Sequence, residues 1–383
     1  MSSSIIVSQR MRPGKAYFFN PDESKKLLIF HFHLLKQMLK KYLHQIILAV
    51  ILCISRVDAQ DIHFTMFDLS PLTLNPGLIG DFNGTFRITG NYRIQWPTIA
   101  KYQTPAIGVD APLFRGLRKK DWISFGIAAY QDRAGEGSAF QLRKTSGWLG
   151  GSYHAPMNKA GTTVLSLGVQ SGGTTRSLQG TPRFGDPSDP QFPAGGGDNK
   201  KTYADLNVGL VLSSTLNKDK TSALNMGISM YHLTQPNGSI GSTPGGGGGG
   251  NTGGSSDKQD VLINAHAIMS IPRGDLLKFY PGVVLHSLAG NFELAAQLKG
   301  EMLINKEKDF AIVGGAGYRI GDAAFAIFGA RVKDLKVGLA YDFNLSGATA
   351  STSGVGGYEL GVSYIVKIYK KPDVKPVIFC PRF

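Results

Sequence analysis

Cysteine is nearly absent from this chain: 383 residues hold two, Cys53 and Cys380. A basic, then apolar, then small-residue pattern runs from Met38 to Ala59, and its removal would leave Cys380 alone. One cysteine makes no internal disulfide and no zinc site. Charged residues are sparse at 18%, and tryptophan occurs three times. Long apolar runs are missing. The run Ile46–Ile54 falls short of the roughly 20 residues that a membrane-spanning helix needs. No stretch has the periodicity of a long amphipathic helix. There is no Gly-x-Ser-x-Gly elbow. The glycines at 245–250 are not followed by Gly-Lys-Ser/Thr, so they form no phosphate-cradling loop. The histidines after the leader, His63, His154, His232, His266 and His286, are far apart in sequence. Neither a catalytic set nor a metal or cofactor site is expected.

The formal charge of +14 also overstates the basicity. Residues 1–59 carry nine Lys/Arg and three Asp/Glu, leaving 32 against 24, or +8, for the remainder. That charge is scattered through turns and strand ends instead of being gathered on one element with interleaved aromatics. This argues against nucleic acid as a partner.

Glycine, in contrast, is plentiful: 49 residues, well above the usual share of about 7%. Without a G-X-Y period it suits strands that bend, bulge and turn. Alternation supplies the strands. From 204 to 212, Ala204, Leu206, Val208, Leu210 and Leu212 alternate with Asp205, Asn207, Gly209 and Val211. From 224 to 230, Leu224, Met226, Ile228 and Met230 alternate with Asn225, Gly227 and Ser229. A polar turn at 217–220 joins them. Each arm therefore has an oily face and a small, polar face. Such arms recur along the chain, as lipid-facing and lumen-facing residues alternate in a transmembrane β-barrel.

Fourteen antiparallel strands are expected, at 82–93, 103–111, 121–131, 139–154, 161–173, 201–215, 221–233, 259–271, 277–287, 290–300, 308–319, 323–332, 335–345 and 356–368. The fold class is all-β, an outer-membrane β-barrel. With a periplasmic start, both long connections, 174–200 and 234–258, fall on the extracellular side, where longer loops belong. The domain plan has an N-terminal extension and signal peptide over 1–59, cleaved after Ala59, with Met38 as the true start. A periplasmic lead segment at 60–81 follows, then the barrel at 82–368 and a periplasmic tail at 369–383. Asp205, Glu293, Arg87 and Arg93 fall on the polar parity and should face the lumen, plugging it with salt bridges or lining a pore. Tyr92, Trp96, Trp122, Trp148 and Tyr280 are either interfacial girdle or core.

Several blocks carry a resemblance. Leu74-Asn75-Pro76-Gly77-Leu78-Ile79-Gly80 is similar to an N-P-A-Y-A-G segment. Tyr92-Arg93-Ile94-Gln95-Trp96-Pro97 is close to Y-R-x-Q-W-P, and Asp132-Arg133-Ala134-Gly135 to a D-R-A-G turn. Tyr341 to Ser346, Gly356 to Glu359, and Cys380-Pro381-Arg382-Phe383 follow in order. Together they resemble the PorP/SprF family of the type IX secretion system. Two features depart from the family: Gly77-Leu78-Ile79 replaces smaller residues, and the glycine run at 245–250 looks like a private insertion.

The resemblance implies an outer-membrane protein of a Gram-negative, Bacteroidetes-type cell. It would work with type IX components in export or surface attachment of an adhesin-like secreted protein, in a gliding context, without catalysis. Its partners would be outer-membrane lipid, type IX components and that cargo. A porin-like channel is the alternative. The residues expected to meet partners are Arg93 and Trp96, the Asp132–Arg133 pair at the outer rim, and the tail Cys380, Pro381, Arg382 and Phe383.

Overall fold

The computed structural model describes residues 61–368, except for 99–100, 119, 137–139, 181–198, 217–221, 239, 241–257 and 348. Fourteen antiparallel strands close into a barrel, each pairing with its sequence neighbours, and β1 pairs with β14 to seal the sheet. The first seven strands are β1 (Phe86–Gln95), β2 (Lys101–Arg115), β3 (Trp122–Glu136), β4 (Phe140–Pro156), β5 (Thr163–Gly180), β6 (Asn199–Thr215) and β7 (Ala223–Tyr231). The rest are β8 (Leu262–Arg273), β9 (Leu277–Leu288), β10 (Asn291–Asn305), β11 (Phe310–Arg319), β12 (Ala323–Val332), β13 (Leu335–Asn344) and β14 (Val355–Val366). Every expected strand is found. Closure leaves no unpaired edge, which is what a spanning sheet requires in lipid.

Alternation decides which side chain faces which way. On β6 and β7, Leu210, Met226 and Ile228 point outward, while Asp205, Asn207, Val211 and Ser229 are buried inward. Ile107, Leu149, Leu167, Phe328 and Leu339 continue the outward apolar band. The strand ends that flank the two longest connections, Gly180 and Asn199 and then Tyr231 and Leu262, lie at one end of the barrel, and short turns such as 274–276 and 333–334 at the other. Long loops mark the extracellular end of such barrels.

The lead segment departs from expectation. It does not hang in the periplasm: residues 61–81 run through the lumen, from the long-loop end to the short-turn end, where β1 begins. Asp61 meets Lys144 and His232 near the loop end. Asp81 meets Ser213 and Asn225 near the turns. Between them lie three short helical turns, Phe67–Leu69, Pro71–Leu74 and Pro76–Leu78.

The cause is hydrophobic. Met66, Phe67, Leu69, Leu72, Leu74, Leu78 and Ile79 need burial, and the inward wall residues supply it. Phe67, Leu74 and Leu78 pack with Val211, Val284 and Ala295. Met66 and Leu69 pack with Phe325, Ile327 and Ala340, and Leu72 and Ile79 with Ala128. Burying such side chains contributes about 1.5–3 kcal/mol each before ordering costs. The core of this protein is therefore its filled lumen.

Candidate functional site

The lead is fastened at three levels, and each level uses residue types that the lumen would otherwise have to hydrate. Near the loop end, Lys144 Nζ lies 2.6 Å from Asp61 Oδ1, and His232 Nε2 lies 2.8 Å from Asp61 Oδ2. The other ring nitrogen of His232 bonds the Asp205 carboxylate. Burial opposes ionisation of Asp61, yet Lys144 and then His232 outweigh it and hold that carboxyl well below its usual range. Burial likewise opposes charge on His232, but its bonds to Asp205 and Asp61 raise it above an ordinary imidazole.

The second level centres on Arg93. Its Nη2 donates to Asp342 Oδ2 at 2.8 Å, and its Nη1 to Glu359 Oε2 at 3.2 Å and to the Thr65 hydroxyl. Glu359 in turn accepts the backbone N–H groups of Thr65 (2.6 Å) and Met66 (2.9 Å). Arg319 adds a second guanidinium, 2.8 Å from Asp322 and 3.3 Å from Asp342. Two cations, their carboxylates and the lead backbone thus form one buried network. Arg93 is 2% exposed, so the expectation that it meets an external partner is corrected. Its parity on β1 points it at the lead.

The third level is the Asn75–Gly80 stretch. The Asn75 amide donates to the carbonyls of Leu210 (3.2 Å) and Ile228 (3.1 Å), and its oxygen accepts from Gly77 N–H at 2.8 Å. Wall glycines make the room. A Cβ on Gly168 would stand 2.2 Å from the Pro76 carbonyl, and one on Gly227 would stand 2.8 Å from Asn75 Nδ2. Gly80 takes φ +71 and donates its N–H to Asp110 Oδ2 at 2.6 Å. Arg87 clamps the same carboxylate and the Leu78 carbonyl.

The chain matches the family model described as "Type IX secretion system membrane protein PorP/SprF" over residues 56–364. It belongs to the PorP/SprF family. Within this PorP/SprF protein, the blocks at 74–80, 92–97, 341–346 and 356–359 all contribute to the fastening of the lead. A comparison with curated proteins finds no match. Among solved structures, the toluene transporter TbuX of Ralstonia pickettii is 11% identical, with 78% of this chain and 94% of that chain covered and a TM-score of 0.47. A FadL homologue of Pseudomonas aeruginosa is 14% identical, with 76% and 92% covered and a TM-score of 0.42. CdiB from Acinetobacter baumannii is 8% identical, with 73% and 59% covered and a TM-score of 0.41.

The other expected contact residues are separated by the structure. Asp132 and Arg133 are neighbours within β3, so they face opposite sides of the wall and form no joint pair. Asp132 accepts from Thr104 Oγ1 at 2.7 Å, while Arg133 bonds Gln131. The D-R-A-G block is a strand bulge instead of a hairpin turn. The β2–β3 register slips between Lys101 and Gln103, and Gly135 takes φ +84. An extra residue bends the strand there, and glycine permits the left-handed conformation. Trp96 sits at the outer end of β1 with its ring edge-on to Tyr102, centroids 5.4 Å apart. Of the aromatics read as girdle or core, Tyr92 faces outward, whereas Trp148 is buried in the lumen and Tyr280 bonds Glu301 there. Trp122 stacks on His154 at 4.5 Å. Cys380, Pro381, Arg382 and Phe383 lie outside the described residues.

Sequence reasoning missed Asp61, Asn75 and Gly80 as functional positions. One signal was present: Gly168, Gly209 and Gly227 recur at neighbouring inward positions of three adjacent strands, a sign that another backbone approaches the wall.

Proposed function

We propose that this protein is a closed outer-membrane scaffold of type IX secretion, anchoring a secreted, adhesin-like protein at its extracellular end without catalysing a reaction. The cell is a Gram-negative one of the Bacteroidetes type. The observation that carries this reading is the lead itself, which is covalently part of the chain and fastened by ions and hydrogen bonds along the lumen. A passive porin needs a continuous water path, and the lead occupies that path. What remains free for recognition is the outer end. Trp96 and Arg133 stand there, and Trp and Arg are frequent energetic anchors of interfaces. The tail at 380–383 serves the periplasmic side.

Affinity purification of a tagged copy from cross-linked outer membranes tests the reading. Recovery of type IX components or one large secreted protein, reduced by Trp96→Ala and Arg133→Ala, supports it. A clean barrel that recovers neither overturns it.

A further inference from the structure

Beside the lead, under its first helical turn and toward the short-turn end, the lumen keeps a chamber of about 230 Å³. That is room for about eight waters at about 30 Å³ each. Met66, Asp68 and Leu69 of the lead form its roof, and Ile268, Val313 and Ile327 form apolar wall. The charged groups on its lining are Lys299, Arg331 and Lys336 against Asp68 and Glu301, with Asp309 outside the lining as a further partner of Arg331.

Both carboxylates are already engaged. Asp68 is paired with Lys299. Glu301 takes Arg331 Nε at 2.9 Å and the Tyr280 hydroxyl at 3.3 Å, and Arg331 also reaches Asp309 at 2.8 Å. Lys336 stands apart. Among the described residues it makes no hydrogen bond and no ion pair; it is exposed to solvent at the chamber mouth, attracted through space by Asp68 and Glu301 and repelled by Lys299 and Arg331. Its inward parity on β13, shared with Gly338 and Ala340, directs it into the chamber. Asp68 Oδ1 is a buried, unsatisfied atom on the lining. As an acceptor, it takes a water or a ligand hydroxyl and offers nothing to an anion.

We propose that this chamber is a binding site for a small amphipathic carboxylate, its head on Lys336 and its short apolar tail against Met66, Leu69 and Ile327. The lysine that no carboxylate pairs among the described residues selects the class. A neutral apolar guest would strip water from the Lys336 ammonium and return no partner, which is costly for an ion. A cationic guest would add like charge beside Lys336, the lining cation that no carboxylate pairs among the described residues. A carboxylate replaces the lost hydration with an ion pair in a partly desolvated site, where pairing is stronger than in water. The size, equal to about eight waters at about 30 Å³ each, fits a guest of about eight to ten non-hydrogen atoms. The site opens on the periplasmic side and goes beyond the anchoring role, since it needs no secreted partner.

Octanoate is the probe, with octanol and octylammonium as controls, titrated by calorimetry against the full-length mature protein in phosphatidylcholine nanodiscs and against empty discs. The expected result is saturable one-to-one binding of octanoate only. Lys336→Gln should weaken it at least tenfold, Lys336→Arg should retain it, and Val313→Phe should exclude it by filling the chamber. Heat-modifiable gel mobility would show that each variant barrel is formed, so loss of binding is read only on folded protein. Absence of saturable octanoate binding overturns the proposal. So does equal binding of octanol, or an affinity untouched by Lys336→Gln.

Discussion

A Cβ on Gly209 of β6 would stand 1.9 Å from Asn75 Oδ1, inside the space that the carboxamide fills. Wall and lead are cut to each other at that point. Gly209→Val is therefore expected to displace Asn75 from its bonds to the Leu210 and Ile228 carbonyls, while the outward face of β6 is unchanged. The lead should become accessible to protease in outer-membrane vesicles. Asn75→Ala removes the bonds without the clash, costing about 1–3 kcal/mol, and should give a milder form of the same defect.

Arg93 holds two carboxylates from different strands. Arg93→Met keeps bulk but, among the described residues, leaves Asp342 with Arg319 as its one cation beside the Thr65 hydroxyl and leaves Glu359 without a cation. Breaking a buried pair on one side typically costs about 3–5 kcal/mol. Unfolding in denaturant, followed by heat-modified gel mobility, should show a loss of that order. A loss below about 1 kcal/mol would mean that the network is hydrated and contributes little.

The His232 clasp predicts a pH dependence. His232 titrates above its ordinary value, so its contribution is full below the unfolded value near about 6.5 and fades as pH rises through the folded one. Asp61 is depressed, so its contribution is present above about 3.8 and fades as pH falls through its lowered value. The unfolding temperature of the native protein relative to His232→Asn should therefore be greatest near about pH 5–6 and shrink toward about pH 9. A gap that grows with rising pH would refute the assignment of charge.

The direction of the lead sets where its beginning emerges. Asp61 lies near the long-loop end, so an epitope inserted between Gln60 and Asp61 should bind antibody on intact cells. Binding only after permeabilisation would place that end in the periplasm and reverse the barrel.

Alternation made the barrel readable. Leu210, Met226 and Ile228 against Asp205, Asn207 and Ser229 announce an oily and a polar face without any tertiary information. The inward charges Arg87 and Arg93 were legible by the same parity. Their partners were not, because Asp110 arrives from β2 and Asp342 and Glu359 from β13 and β14, and no local rule links positions that far apart. The lead was misplaced because 60–81 has no strand period and reads as a polar, turn-rich entry. Its apolar residues follow no single period, since three short turns present them to different walls in succession. The D-R-A-G block was misread because Asp and Gly are turn residues, and a bulge uses the same chemistry inside a strand.

Single-channel recording in planar bilayers tests the central claim that the lumen is closed by the chain's own lead. Intact protein should give no open steps, and a variant lacking 61–81 should give large, stable ones. Open steps of similar size from both proteins would contradict the account and return the barrel to the porins.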